Sequence, residues 1–384
     1  MKKKGRVEDG FWPSWYILRN NRHLFELEGV KNSIMTRLCE DSDGNEIENK
    51  ISLIRTSRYA CQSVAKKALP NERISNCLSR PVGSEVEVWK HLKTEKAFYN
   101  GLMVCGSVWN CPVCAAKISE RRKKELQKAC KEHIDSKGYI ALLTLTFSHK
   151  RTDKLKTTLE RFSKATTKFM SGKSYQRIRQ DMGIIGRIKV TEVTYGQNGF
   201  HPHSHIAIFY ENEIDLEKMK LRMYSLWSKA CEKFGLSSTS KYGLDLQSSE
   251  HAAAYLAKHG NWSLEQEMTK GHIKKAKHGS YTPFDFLRAY LETEDDLYLR
   301  LFSEYAEAFK GKRQVHWSRG LKNHFDISDK TDEEVAKEKV EQADVLGRLT
   351  YNQWKQVLRL DQRAQLLDNI EKYGFDIGLS VTLP

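Results

Sequence analysis

Three of the chain's 13 histidines, His201, His203 and His205, stand at alternate positions in "GFHPHSHIAIFY", residues 199–210. In a strand successive side chains alternate faces, so three imidazoles project from one side while Ile206 and Ile208 face the other. Just upstream runs a second β-branched stretch, "IGRIKVTEVTY", joined to the first by "GQNG", the chemistry of a tight hairpin. With Gln197 and Asn198 at the tip, Gly196 opposes Gly199 and Glu192 opposes His203. Opposed residues have Cβ atoms roughly 5 Å apart and share a face. His203 and His205, with either His201 or Glu192 as third ligand, then suit a divalent cation with positions left open for substrate.

A second set of ligand-type residues lies in "CGSVWNCPVC", where Cys111 and Cys114 flank a Pro-Val turn and Cys105 stands six residues earlier. Four-coordinate zinc needs one more thiolate. Cys77 in "RISNCLSRP" is the candidate, provided the intervening segment folds back as a small ribbon. A cluster saturated with thiolates leaves no open coordination site, so its expected role is structural.

The third pattern is "SSEHAAAYLAKHGNW", in which His251, Tyr255, Lys258 and His259 recur at helical spacings of three and four. One face then carries a phenol, a cation and two imidazoles, and Ser249 with Glu250 forms a credible helix start.

These groups need elements to hold them. The order runs strand "GYIALLTLTF", helix "LKTTLERFSKATTKFMSG", the two hairpin strands, helix "DLEKMKLRMYSLWSKACEKFG", strand "LDLQ" and the tyrosine helix. A β-α-β-β-α-β order predicts an α+β fold, a central antiparallel sheet with flanking helices in the ferredoxin-like class. Residues 1–70 read as a polar, poorly periodic extension and 71–136 as a cysteine-bearing segment ending in a basic helix. The plausible catalytic core spans 137–262, and a helical, basic extension spans 263–325. Residues 326–384 read as an acidic linker followed by a helical hairpin.

With 64 Lys+Arg against 49 Asp+Glu over 384 residues, the net charge of +15 points to a polyanionic partner, nucleic acid ahead of lipid. In "GKRQVHWSRGLK" Trp317 stands between Arg313 and Arg319, cations for phosphates around a ring that can stack on a base. The basic opening is followed by no apolar core of signal-peptide type, and the longest apolar run is too short to span a bilayer, so a cytoplasmic protein without membrane partners is expected. In a reducing compartment clustered cysteines are metal ligands before they are disulfides.

In their order these motifs resemble the rolling-circle replication initiator (Rep) proteins of small bacterial plasmids, the single-tyrosine type within the HUH endonuclease superfamily. "ALLTLTF" looks like the first motif, "HPHSHIAIF" like the His-hydrophobe-His metal motif and "YLAKH" like the catalytic Tyr-x-x-Lys, while "CGSVWNCPVCAAKI", "GSYTPFDFL" and "GKRQVHWSRGLK" look like further segments common in such proteins. The resemblance covers roughly residues 75–325. It implies a Mn²⁺- or Mg²⁺-dependent nickase acting on single-stranded and origin DNA, with host helicase and polymerase as partners. Tyr255 would be the nucleophile, His203 and His205 metal ligands, and Lys258 a helper. The sequence departs from the strict metal motif at Ser204, where a bulky hydrophobe is usual. Related initiators carry a glutamate one turn before the tyrosine, and here either His251 or Glu250 stands near that place. Alternative functions are a relaxase or single-strand transposase with the same chemistry, or a zinc-bearing DNA-binding regulator without catalysis.

Overall fold

The structure, a computed structural model, describes residues 46–238, 242–248, 280–338 and 342–383. Residues Ser57–Pro384 form one compact unit, and of the preceding unit only the start of helix α1 (Glu46–Ala68) is described. From Ser57 onward α1 buries Ala60, Cys61, Val64 and Ala65, so the stretch that reads as a poorly periodic extension ends in a packed helix.

The fold is α+β with two antiparallel sheets. The smaller has the order β2-β1-β8, built from β1 (Glu85–His91), β2 (Ala97–Asn100) and β8 (Ala343–Thr350). The hairpin β1–β2 is the ribbon expected between Cys77 and Cys105, and β8 joins it from the far end of the chain.

The larger sheet has the order β6-β3-β5-β4-β7. Its strands are β3 (Tyr139–Leu145), β4 (Ile184–Gly196), β5 (Gly199–Tyr210), β6 (Leu244–Ser248) and β7 (Val315–Trp317). Apolar residues at successive positions of β3 and β5 give these two strands an apolar side chain on each face. One face, with Leu143, Leu145, Ile206, Ile208 and Leu246, packs on α3 (Leu155–Phe169), α4 (Lys173–Met182) and α5 (Leu216–Lys233). The other, with Ile140, Ile188, Val190, Ala207 and Phe209, packs on Leu126, Ala129 and Cys130 of α2 (Pro112–Asp135). Helix α4 has no counterpart in the expected element order.

A third cluster joins the cysteines to α6 (Pro283–Thr293), α7 (Asp296–Phe309), α10 (Tyr351–Arg359) and α11 (Arg363–Tyr373). Between β7 and α10 lie the short helices α8 (Leu321–His324) and α9 (Asp332–Lys337), and α12 (Phe375–Thr382) closes the described chain. Trp354 and Leu366 are fully buried there, as core residues rather than binding residues. No helix among the described residues is long and apolar enough to cross a membrane.

Candidate metal centres and DNA cleft

The β4–β5 ladder pairs Gly196 with Gly199 and Glu192 with His203, the register that a two-residue turn at Gln197 and Asn198 dictates. Gly199 has φ +82°, a left-handed conformation that glycine adopts without penalty. His205 lies one row further along the same face, opposite Val190 on β4 and Thr144 on β3. Glu192, His203 and His205 form a group able to hold a metal ion. The Glu192 Oε2 atom is 3.6 Å from His203 Nε2 and 4.0 Å from His205 Nε2. Two ligands on one cation with bonds of about 2.1 Å lie at most about 4.2 Å apart, so both distances fit a single ion.

His201 is on the same face but outside this group. Its Nε2 is hydrogen-bonded to Thr146 Oγ1, and its ring stacks on His149 with centroids 4.6 Å apart and planes 8° from parallel. Burial, with His203 and His149 close by, lowers its pKa to about 3, so the ring is neutral. Of the two alternatives for a third ligand, Glu192 has its oxygen in the group and His201 does not. Ser204, on the opposite face, is fully buried, and its hydroxyl lies 3.2 Å from Thr191 Oγ1. The hydroxyl that replaces the usual hydrophobe is thus satisfied within the hairpin.

The cysteine set converges as expected. Cys77 Sγ lies 3.8 Å from Cys111 Sγ and 3.6 Å from Cys114 Sγ, and Cys105 Sγ lies 3.7 Å from Cys114 Sγ. Thiolates at about 2.3 Å from a tetrahedral ion are about 3.8 Å apart along each edge, so the spacing matches a four-thiolate metal site; a disulfide would need about 2.05 Å. Cys111 caps α2, accepting from the Cys114 amide at 3.5 Å, and so places its sulfur at a helix N-terminus where anions are favoured. Burial opposes ionisation of Cys111, but hydrogen bonds from Cys105, Cys114 and Cys77 hold it well below the usual thiol range, while Cys105 and Cys114 are pushed up. Gly106 has φ +65° and meets Glu333 so closely that a Cβ there would collide, which keeps the turn tight.

Residues outside the sequence motifs complete this cluster. Gln62 Nε2 donates to Cys111 Sγ at 3.2 Å, and the buried Arg363 donates to Gln62 Oε1 at 2.6 Å and to Ser63 Oγ at 2.8 Å. No local pattern could have pointed to them, because Arg363 is about 300 positions from its partners. Thr144, whose Oγ1 is 3.2 Å from His205 Nδ1, was likewise hidden in what reads as an apolar strand.

Arg313, Trp317 and Arg319 line one cleft of about 770 Å³, together with Trp109, Lys310 and Lys312. Its carboxylates are engaged: Glu72 with Lys310 at 2.7 Å, Asp332 with Arg122 at 2.7 Å, Asp329 with Lys322 at 2.9 Å, and Glu333 with Arg73. Among the described residues no carboxylate lies within ion-pair distance of Lys312, Arg313 or Arg319, so the cleft keeps a net positive charge. Trp109 also lines a small cavity that contains Glu192 and Tyr305. Tyr305 is a poor nucleophile, because complete burial and then the nearby Glu192 carboxylate push its phenol well above the usual value.

Tyr255, Lys258, Glu250 and His251 lie outside the described residues. The described chain stops at Ser248, paired with Ala141 on β3, and resumes next to Tyr281, which exchanges two backbone hydrogen bonds with Tyr195 near the hairpin tip at 2.7 and 2.8 Å.

Comparison with known proteins shows the family. A family described as replication protein matches residues 99–365, more than half of the chain. The chain belongs to that family of replication proteins. Among curated relatives it is similar to a protein named Protein rep from Streptomyces lividans, 28% identical over 289 residues, covering 58% of this chain and 63% of that protein. It is also similar to a Neomycin resistance protein from Streptomyces cyanogenus, 31% identical over 134 residues, covering 28% of this chain and 30% of that protein. The chain therefore spans less than two thirds of the length of the curated relatives it matches. No solved structure matches it.

Proposed function

We propose that this protein initiates rolling-circle replication of a plasmid by nicking one strand at the origin, in the manner of a single-tyrosine HUH endonuclease with a ferredoxin-like core. The observation that carries the proposal is the convergence of Glu192 Oε2 with the Nε2 atoms of His203 and His205 on one face of a β-hairpin. It is supported by family membership and by the element order β3-α3-α4-β4-β5-α5-β6, in which α4 is added to the expected series, with its all-antiparallel sheet.

Glu192, His203 and His205 would hold Mn²⁺ or Mg²⁺, which supplies charge stabilisation at a phosphodiester oxygen. Tyr255 attacks the phosphorus and the bond to the 3′ oxygen breaks. The 5′ phosphate becomes esterified to the tyrosine, the phenol gives up its proton, and the departing oxygen takes one up as a free 3′-OH primer. With a phenol pKa of ~10, Tyr255 needs help in ionising, which Lys258, three positions on in the sequence, would provide. Glu250 or His251 serves the terminating water. Cys77, Cys105, Cys111 and Cys114 hold a structural zinc, and Arg313, Trp317 and Arg319 seat the DNA. Host helicase and polymerase extend the primer in the cytoplasm.

The test is incubation of the full chain with single-stranded oligonucleotides from the plasmid that encodes it, with and without Mn²⁺. Metal-dependent cleavage at one position is expected. Binding without cleavage under every metal condition would favour the DNA-binding regulator and defeat the nickase.

A further inference from the structure

A neutral imidazole carries a proton on one nitrogen and a lone pair on the other, so a histidine ligand must be held with the correct nitrogen inward and the other ring N–H satisfied. For His203 the backbone does this: its Nδ1 is 3.2 Å from the His201 carbonyl oxygen, which can only accept, so Nδ1 carries the proton and Nε2 is left facing Glu192. At His205 a side chain takes the place of the carbonyl. Its Nδ1 is 3.2 Å from the Thr144 hydroxyl, and its Nε2 is the atom 4.0 Å from Glu192.

We propose that Thr144 is a positioning residue for the metal centre, its hydroxyl accepting the Nδ1–H of His205 and so fixing the tautomer and ring orientation that turn Nε2 toward the cation. The inference rests on the metal reading of Glu192, His203 and His205. Thr144 is well placed for it. It is the direct partner of His205 in the β3–β5 ladder and is fixed on its other side by pairing with Asp245 of β6. As a β-branched residue in the middle of three paired strands, it has few rotamers for its hydroxyl. The next threonine along the chain shows the converse arrangement: Thr146 bonds the Nε2 of His201, the nitrogen that His203 and His205 turn toward Glu192, and His201 stands outside the ligand group. Leu143 and Leu145 thus face the core, while Thr144 in β3 and Thr146 just beyond its end contact histidines.

The test uses the full chain and two readouts other than cleavage. Mn²⁺ affinity is measured from the electron paramagnetic resonance signal of the free ion for wild type, Thr144→Val, Thr144→Ser and His203→Ala. Loss of an outer hydrogen bond to a ligand histidine should weaken binding by about 10–100-fold in Thr144→Val, and Thr144→Ser, which keeps the hydroxyl, should restore it. Separately, nitrogen-15 NMR of labelled histidines in the unsubstituted, metal-free chain should find His205 protonated at Nδ1, a result that does not depend on any variant folding. Wild-type affinity in Thr144→Val alongside weakened binding in His203→Ala, or an Nε2-protonated His205, would overturn the role of Thr144 and leave the metal site standing. Undiminished Mn²⁺ binding in His203→Ala would instead remove the metal reading itself.

Discussion

Glu192 and His203 face each other across a hairpin ladder, with Oε2 3.6 Å from Nε2 and both side chains largely shielded from solvent. A cation between them could take Oε2 and Nε2 as ligands together, and His205 brings a second ring nitrogen to the same point.

Alanine at Glu192, His203 or His205 is therefore expected to lower Mn²⁺ affinity and nicking by more than about a hundredfold, beyond the usual loss for an outer-shell contact. His201→Ala should cost far less, because its Nε2 is engaged by Thr146. Metal titration and cleavage assays on the four variants check this, and a loss in His201→Ala equal to that in Glu192→Ala would reverse the choice of third ligand.

Elemental analysis of protein purified without chelator should find about one zinc per chain beyond any ion at the hairpin, given four thiolates with tetrahedral spacing. Serine at Cys111 or Cys114 should release it and lower the melting temperature, since a structural ion contributes folding free energy. Arg363→Ala, which leaves the Gln62 carbonyl oxygen without its buried donor, should destabilise the chain by about 1–3 kcal/mol in urea unfolding.

Much of this site was legible before any coordinates. The glycine and asparagine turn set the hairpin register, and with it the pairing of Glu192 with His203, because side-chain alternation leaves no freedom once the tip is placed. A fourth cysteine was required by the four-coordination of zinc, and Cys77 was the candidate because the intervening segment could fold back as a ribbon. Helix α1 was not legible, because its buried stripe at Ala60, Cys61, Val64 and Ala65 relies on small side chains that barely perturb a hydrophobic pattern. Strand β8 was also hidden: only Leu349 of its eight residues is buried, and Gly347 sits where Phe375 packs against the backbone. The role of Thr144 depends on a pairing across 61 residues of chain, which no local signal encodes.

Binding to single-stranded DNA should weaken with salt, and alanine at Lys312, Arg313 or Arg319 should each reduce the log-log slope by about 0.7 if the side chain meets one phosphate. Fluorescence anisotropy over a salt series measures this. Unchanged slopes in all three variants would exclude the cleft as the DNA seat.

Stability should fall in mild acid. Burial lowers the pKa of His149 below the ordinary histidine value, against smaller opposing effects of the Phe147 backbone and Asp153. Below an unfolded value of ~6.5 the unfolded chain binds a proton that the folded chain resists, so stability present above that pH is lost as the pH drops toward the folded value. His149→Phe keeps a ring against His201 and removes the titration. Its urea midpoint should therefore decline less than that of wild type between about pH 7.5 and 5.5.

The nickase reading is tested most directly by running an oligonucleotide, labelled 3′ of the nick, on a denaturing protein gel after incubation with the chain and Mn²⁺, and mapping the peptide that carries the label. The expected result is a shifted band whose label maps to Tyr255, absent in Tyr255→Phe although that variant still binds metal and DNA. A band that persists in Tyr255→Phe, or a label on another tyrosine such as Tyr281 or Tyr305, would contradict it.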